Sequence, residues 1–358
     1  MDIKNQIKPS LPQITIITLN YNSFPDTIEC LESVLKLHYP NFNVIVIDNS
    51  STDTSWSCLC GWAKGEITFD VPTQYHGYVY PLVKKPIEYL CLTVDSCAQI
   101  GEQRPQVLFL LNECNEGFAR ANNRGIRLAF ELYHSQYVFL LNNDTVIAPD
   151  ALGEIISVME VNPDIAASQA VIYHYTDPEK IANAGGFILP WGQTKYRKNI
   201  SKALRQQVSF LNGCALILRR ETVEKYGALT EDFFHGEEDF EFSLRLARHK
   251  ALKVCVNRAR VFHKIGISAH GLLAGQIEKK VLLFAVNRLV DMKQFYSRPL
   301  WYVWRELALV YFYLMLILRY RVRIKVAGST INTARKISAS LSKVSDQVVN
   351  TIVNRKSV

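Results

Sequence analysis

The stretch VFLLNNDTVI (residues 138–147) runs four apolar residues straight into Asn142, Asn143, Asp144 and Thr145. A buried strand has no use for two amides and a carboxylate. A turn accepts them, because Asn and Asp hydrogen-bond their own backbone there. Alternatively, the strand delivers Asp144 to the rim of a sheet, where a carboxylate can do chemistry. The surrounding sequence has to decide.

Upstream, ITIITLN (14–20) is rich in β-branched residues and breaks at Asn20, the pattern of a buried strand. PDTIECLESVLKLH (25–38) opens on Pro and places apolar residues at 28, 31, 34 and 35, a helical stripe. NVIVIDNSSTD (43–53) is a second apolar strand ending in a polar cluster. Strand, helix, strand at this spacing is a βαβ unit, and such units build parallel sheets covered by helices. Residues 56–105 read as irregular, rich in Tyr, Pro, Gly and Cys. QVLFLLNECNEGFARANNRGIRLAFEL (106–132) then restarts the pattern with strand, polar turn and helix. DALGEIISVMEVNP (150–163) is a helix stopped by Pro163. Three strands thus end in polar turns at Asn20, Asp48 and Asn142. In an open parallel sheet those carboxyl ends share one edge, where ligands bind.

The totals are compatible with this. At 358 residues, 21% charged and 48% hydrophobic, the chain is an ordinary globular protein of one large domain with appendages, or two domains. Its net charge of +8 is unevenly placed: residues 319–358 carry nine Lys or Arg against one acidic residue, Asp346, which equals the whole excess. The opening MDIKNQIKPSLPQ is polar without an apolar core, so a cytoplasmic location with reduced thiols is expected. Cys58, Cys60, Cys91 and Cys97 are zinc candidates by residue type, but their spacing departs from C-x2-C pairs.

TLNYNS, VIVIDNSSTD, NEGFARANNRGI, FLLNNDT, FLNGCALILRRE and FFHGEEDFEFSLRL occur here in one order. In that order they resemble the motifs of family 2 glycosyltransferases, inverting enzymes of the GT-A fold. The likeness covers about residues 12–265 and is nearest to the rhamnosyltransferase-like branch that builds bacterial surface polysaccharides. It implies an α/β catalytic domain over 1–275, a mainly parallel sheet flanked by helices, with 56–105 as an atypical insertion. A helical, membrane-associating region follows over 276–358.

The resemblance also implies roles. Asp144 matches the last position of a DxD-type metal motif, with Asn142 and Asn143 in place of the other acids. That points to Mg²⁺ or Mn²⁺ held largely by the donor diphosphate and water. The competing reading is an Asx turn. Asp48 matches the carboxylate that binds the donor's base, with Thr18 and Asn20 as neighbours. Asn115, Gly117, Asn122, Asn123 and Asn143 fall against nucleotide and sugar, while Arg120 is either a contact or a solvated helix charge. Asp239, with Glu238 before it, matches the base that takes the acceptor hydroxyl's proton. Without a nearby cation or substrate, the carboxylates at 231, 232, 237, 238 and 239 would repel one another; a solvated acidic helix start is the alternative. His263 is a metal ligand or a hydrogen-bonded core residue. In NAGGFILPWGQTKY (183–196), on the acceptor side, Trp191 either stacks on a sugar or is buried.

LALVYFYLMLIL (307–318) is flanked by Arg305 and Glu306 before and Arg319, Arg321 and Arg323 after. Twelve apolar residues are too few to span a bilayer. An interfacial helix at the inner face of the cytoplasmic membrane is expected, against the alternative of a core helix. The reading is therefore of a cytoplasmic, peripherally membrane-associated enzyme that moves a sugar from a dTDP- or UDP-sugar donor to a saccharide acceptor, lipid-linked or free. No nucleic-acid motif accompanies the basic tail. A nucleotidyltransferase would want a basic Gly-rich loop after the first strand, and TLNYNSFPD is not one. An inactive nucleotide-sugar-binding protein stays open because of the Asn-Asn-Asp variant.

Overall fold

The computed structural model describes residues 11–68, 70–101, 103–189, 192–265 and 276–355, with the side chains of 97–99 left aside. The βαβ unit is present as β1 (Ile14–Asn20), α1 (Phe24–Val34) and β2 (Phe42–Asp48). β1 and β2 pair in parallel along their whole length, from Ile14 opposite Phe42 to Asn20 opposite Asp48. α1 starts with Pro in its first turn, where the missing N–H costs nothing. It ends before residue 38 because the chain tightens: Lys36 N and Leu37 N bond to Ser33 O and Val34 O, three residues back.

The stretch expected to be irregular holds α2 (Ser55–Lys64), α3 (His76–Val79) and β3 (Tyr89–Thr93). β3 is an edge strand, parallel to β4 (Val107–Leu111). Glu32, fully buried on α1, fastens this region by accepting from Trp62 Nε1 at 3.0 Å, Val83 N at 2.7 Å and Lys85 Nζ at 2.9 Å. A five-residue strand with four half-buried residues and an exposed Thr93 has too weak an alternation to stand out in the sequence.

The chain continues through α4 (Gly117–Glu131), β5 (Tyr137–Leu141), β6 (Thr145–Ile147), α5 (Ala151–Val161), β7 (Ile165–His174) and β8 (Asp177–Asn183). A hairpin, β9 (Gly186–Ile188) and β10 (Thr194–Tyr196), precedes β11 (Arg205–Gln207), β12 (Ala215–Arg219), α6 (Arg220–Tyr226), α7 (Glu238–Arg248) and β13 (Leu252–His263). The large sheet has the order β11-β13-β7-β12-β5-β1-β2-β4-β3. β12 runs antiparallel to both β5 and β7, so β7 points the same way as β5, and β13 is parallel to β7. The carboxyl ends of β1, β2, β5 and β13 therefore share one edge. That geometry brings His263 to residues 142–144.

Among the described residues four helices follow: α8 (Ile277–Asp291), α9 (Arg298–Leu314, continued by a π-turn over Met315–Arg319), α10 (Ile324–Ser340) and α11 (Asp346–Val353). Their apolar faces make a second cluster that takes in Phe210, Phe233 and Phe240 from the preceding region. Burying a Leu or Phe of this kind stabilises by about 1.5–3 kcal/mol, so these helices hold the segment around Phe233 and Phe240 firmly.

Candidate active site

At the edge between β1 and β2, Asp48 is 1% exposed and accepts three hydrogen bonds. They come from Asn20 Nδ2 at 2.6 Å, Ser51 N at 2.7 Å and Ser51 Oγ at 2.8 Å. A carboxylate has about four lone-pair sites, so one stays available to an incoming N–H. Asn20 Oδ1 accepts from Thr27 Oγ1 at 2.7 Å, and Thr27 Oγ1 accepts from Asn143 Nδ2 at 2.9 Å. Thr27 was not singled out in the sequence, yet it joins the end of β1 to the turn after β5. The Thr18 hydroxyl is buried, with no hydrogen-bond partner among the described residues.

Asp144 is buried, and its Oδ1 lies 3.0 Å from His263 Nε2. The contact follows from register: β6 runs antiparallel to β13, with Thr145 opposite His263. Burial pulls the His263 imidazole down, but Cys214 and Asp144 beside it prevail and hold it up to about 11. Lys264 turns away, with Nζ 2.6 Å from Asp26 and 2.6 Å from Glu29 on α1. The carboxylate oxygen suits Mn²⁺ or Mg²⁺, and His263 Nε2 would join it as a ligand only with its proton displaced by the cation. No group of three such side chains occurs among the described residues, so any cation here would take most ligands from substrate and water.

The third element is the start of α7. Glu237, at φ +79°, caps the helix, followed by Glu238 and Asp239. Gly213 N donates to Asp239 Oδ2 at 3.2 Å, and Asn142 N donates to Cys214 O at 2.9 Å. The turn after β5 and the carboxylate at 239 are thus joined through two consecutive residues, 213 and 214. Burial raises the Asp239 carboxyl, opposed by backbone N–H groups and by Arg288. Burial and Asp239 together push Glu238 up to about 8. The expected repulsion among these acids is resolved by dispersal. Glu231 pairs with Arg120 at 3.2 Å, and Glu237 pairs with Arg288.

Around the start of α4, Asn115 Oδ1 accepts from Asn49 Nδ2 at 2.8 Å and Gly117 N at 3.0 Å. Gly117 has φ +78°, and a Cβ there would lie 2.4 Å from Phe234 O, so only glycine fits. Asn122 and Asn123, expected to face a ligand, make hydrogen bonds within the protein. Asn122 Nδ2 bonds back to Phe118 O at 3.0 Å. Asn123 clamps the segment before α7 through Leu229 N, Leu229 O and Glu231. Asn123 holds α4 against that segment, while the Asn122 bond stays within α4. Of the four cysteines weighed for zinc, Cys60 and Cys91 meet at 2.7 Å, Cys58 bonds to Thr54 Oγ1 at 3.6 Å, and the side chain of Cys97 lies outside the described residues. Trp191 also lies outside them.

The three clusters lie along one edge of the sheet, and comparison with known proteins gives the class. The profile of glycosyl transferase family 2 matches residues 15–75 and 92–227, more than half of the chain. The chain belongs to glycosyl transferase family 2. The unmatched segment, 76–91, is shorter than the insertion expected over 56–105. An uncharacterized protein, y4gI, from Sinorhizobium fredii (strain NBRC 101917 / NGR234) is 23% identical over 235 residues. The alignment covers 65% of this chain and 20% of that protein, so the chain spans about a fifth of this relative. Two solved structures are similar in fold. Mannosyltransferase PcManGT from Pyrobaculum calidifontis, in complex with GDP-Man and Mn²⁺, gives a TM-score of 0.51 at 16% identity, covering 92% of this chain and 74% of that one. GalNAc-T7 with UDP, GalNAc and Mn²⁺ gives 0.53 at 14% identity, covering 84% and 55%. The fold is GT-A-like: a mainly parallel sheet with helices, extended here by the C-terminal helices.

Proposed function

We propose that this chain transfers a sugar, rhamnose or a similar hexose, from a dTDP- or UDP-sugar to a saccharide acceptor with inversion, in the synthesis of a bacterial surface polysaccharide. One observation carries the reading: Asp48, the Asp144–His263 pair and Asp239 converge on one sheet edge, joined by short hydrogen-bonded links. Asp48 has the capacity to accept an N–H of the nucleotide base. Asp144 and His263 would hold Mn²⁺ or Mg²⁺, which neutralises diphosphate charge as the sugar–phosphate bond breaks. Both similar solved structures contain Mn²⁺. Asp239 takes the acceptor hydroxyl's proton as that oxygen attacks the anomeric carbon from the face opposite the diphosphate. A screen of nucleotide sugars for thermal stabilisation and donor hydrolysis tests this, since a ligand that binds only the folded state stabilises it by mass action. No shift and no turnover with any donor would overturn it.

The acceptor side belongs at a membrane. The helix Arg298–Arg319 is long and apolar enough to cross a bilayer by length and composition. Two features favour lying in the interface instead. Trp301, Trp304, Leu309, Phe312 and Leu316 pack into the second core, and Glu306 pairs with Arg305 at 2.7 Å and Arg335 at 2.8 Å in mid-helix. The opposite face exposes Leu300, Val303, Leu307, Val310, Leu314 and Leu318 at three- and four-residue intervals. Beyond it stand Arg319, Arg321, Arg323 and Lys325. An apolar stripe with a basic end fits the inner face of the cytoplasmic membrane, where a lipid-linked saccharide would be within reach.

A further inference from the structure

The loop that carries the base candidate is held from outside the family-matched region, which ends at residue 227. Phe234 N donates to Val344 O at 2.9 Å, and Val344 N donates to Asp232 O at 2.7 Å. Asn287 Nδ2, on α8, donates to His235 O at 2.8 Å. Its neighbour Arg288 is 3% exposed and makes several contacts at once, one of them with the Phe284 ring at 5.0 Å. It pairs with the buried Glu237 carboxylate, it donates to Gly192 O, and its guanidinium lies 3.3 Å from the centroid of the Phe240 ring.

Those partners flank Asp239 on every side of the sequence that matters. Glu237 caps the helix on which Asp239 sits, and Phe240 follows Asp239 directly. Gly192 belongs to the turn of the β9–β10 hairpin, on the acceptor side. That turn touches α9 as well: Gly192 has φ +80°, and a Cβ there would lie 3.0 Å from Trp304 Cζ2. Arg288 therefore sits where the base loop, the acceptor-side hairpin and the C-terminal helices meet. A planar guanidinium with five donors can serve a carboxylate, a carbonyl and a ring face together; an ammonium cannot.

We propose that Arg288 is a positioning residue: by locking Glu237 and Phe240 on either side of Asp239, and Gly192 opposite, it sets the base carboxylate at the distance from the acceptor hydroxyl that transfer requires. This rests on Asp239 being the base. Glu237 at φ +79° is a conformation that a non-glycine residue holds only when its surroundings impose it. Arg288 is the one group that hydrogen-bonds the Glu237 side chain among the described residues. The Arg288 charge also draws the Asp239 carboxyl down against the effect of burial, in keeping with its nearness to the base.

Replacing Arg288 alone with a neutral residue would strand a buried carboxylate and endanger folding. The test therefore uses Arg288→Lys, which keeps the charge and loses the fork, and the double variant Glu237→Gln/Arg288→Gln, which removes both charges together. Three readouts are taken on the full chain: melting temperature, affinity for UDP and dTDP with Mn²⁺ by calorimetry, and nucleoside diphosphate release from the nucleotide sugar selected by the screen, with acceptor varied. The expected result is unchanged nucleotide affinity and acceptor KM within a few-fold, with kcat lower by roughly 10²-fold, the usual effect of a misplacement near 1 Å. Folded variants with the unmutated kcat would overturn the positioning role. So would a parallel loss of nucleotide affinity and melting temperature, which marks a role in folding alone. Asp239→Asn run alongside separates the two readings. An unchanged rate there removes the base and this proposal together, whereas a lost rate there with full-rate Arg288 variants overturns the positioning role only.

Discussion

His263 Nε2 lies 3.0 Å from Asp144 Oδ1, although 119 positions separate the two residues in the chain. The antiparallel pairing of β6 with β13 makes the contact. It sets an imidazole beside a lone acid that follows two amides. EDTA should abolish transfer, and Mn²⁺ or Mg²⁺ should restore it. Asp144→Ala should stay inactive at any metal concentration, and His263→Ala should raise the metal concentration needed. Full turnover in chelator would remove the metal from the scheme.

The base gives a second prediction. Asp239→Asn keeps the side-chain shape but cannot take a proton, so nucleotide affinity should hold while transfer falls by about 10²–10⁴. Because burial raises the Asp239 carboxyl and the base works ionised, the rate should climb with pH through that raised value. The comparison is calorimetry beside the pH–rate profile; an Asn variant with an intact acid limb would transfer the role to Glu238.

Thr27 bridges Asn20 and Asn143 by hydroxyl alone. Thr27→Val keeps the shape and removes both bridging bonds together with the bond to Ser23 O at 3.2 Å. Donor affinity should drop by about 1 kcal/mol, roughly fivefold, with the melting temperature little changed. Unaltered affinity would mean that the two strand ends hold their places without the bridge.

Stability should report on Glu238. Burial and the neighbouring Asp239 move it from its ordinary 4.5 up to about 8. Between those values the folded protein keeps a proton that the unfolded chain has released, so stability falls as pH rises through the window. Glu238→Gln has no such proton and should melt later than the unmutated protein at pH 8, with the difference vanishing near pH 4. Parallel melting curves across that range would exclude Glu238 as the source.

Membrane attachment is better tested by point substitution than by truncation, because Val344 pairs with residues 232 and 234 and removing the C-terminal helices would also disturb the base loop. Val303 and Leu307 are 62% and 66% exposed on α9. Val303→Glu/Leu307→Glu should abolish flotation with vesicles containing phosphatidylglycerol and leave nucleotide affinity intact. Retained flotation would place the contact elsewhere.

The βαβ unit, the strands ending at Asn20, Asp48 and Leu141, and the helix over 307–318 were legible in the sequence. Each is governed by local periodicity, and an apolar strand that ends in polar residues announces a sheet edge. The acid pair at 238 and 239 was marked by resemblance to the family's motif rather than by local pattern. Partners across the fold carry no such trace. That Asn123 faces Leu229 and Glu231 rather than a ligand, that Thr27 links two strand ends, and that Arg288 reaches Glu237 51 residues away are outcomes of packing. An amide or guanidinium on a helix reads the same whether its face meets solvent, substrate or another element. Only the order of strands in the sheet and the docking of the C-terminal helices decide which of these it meets.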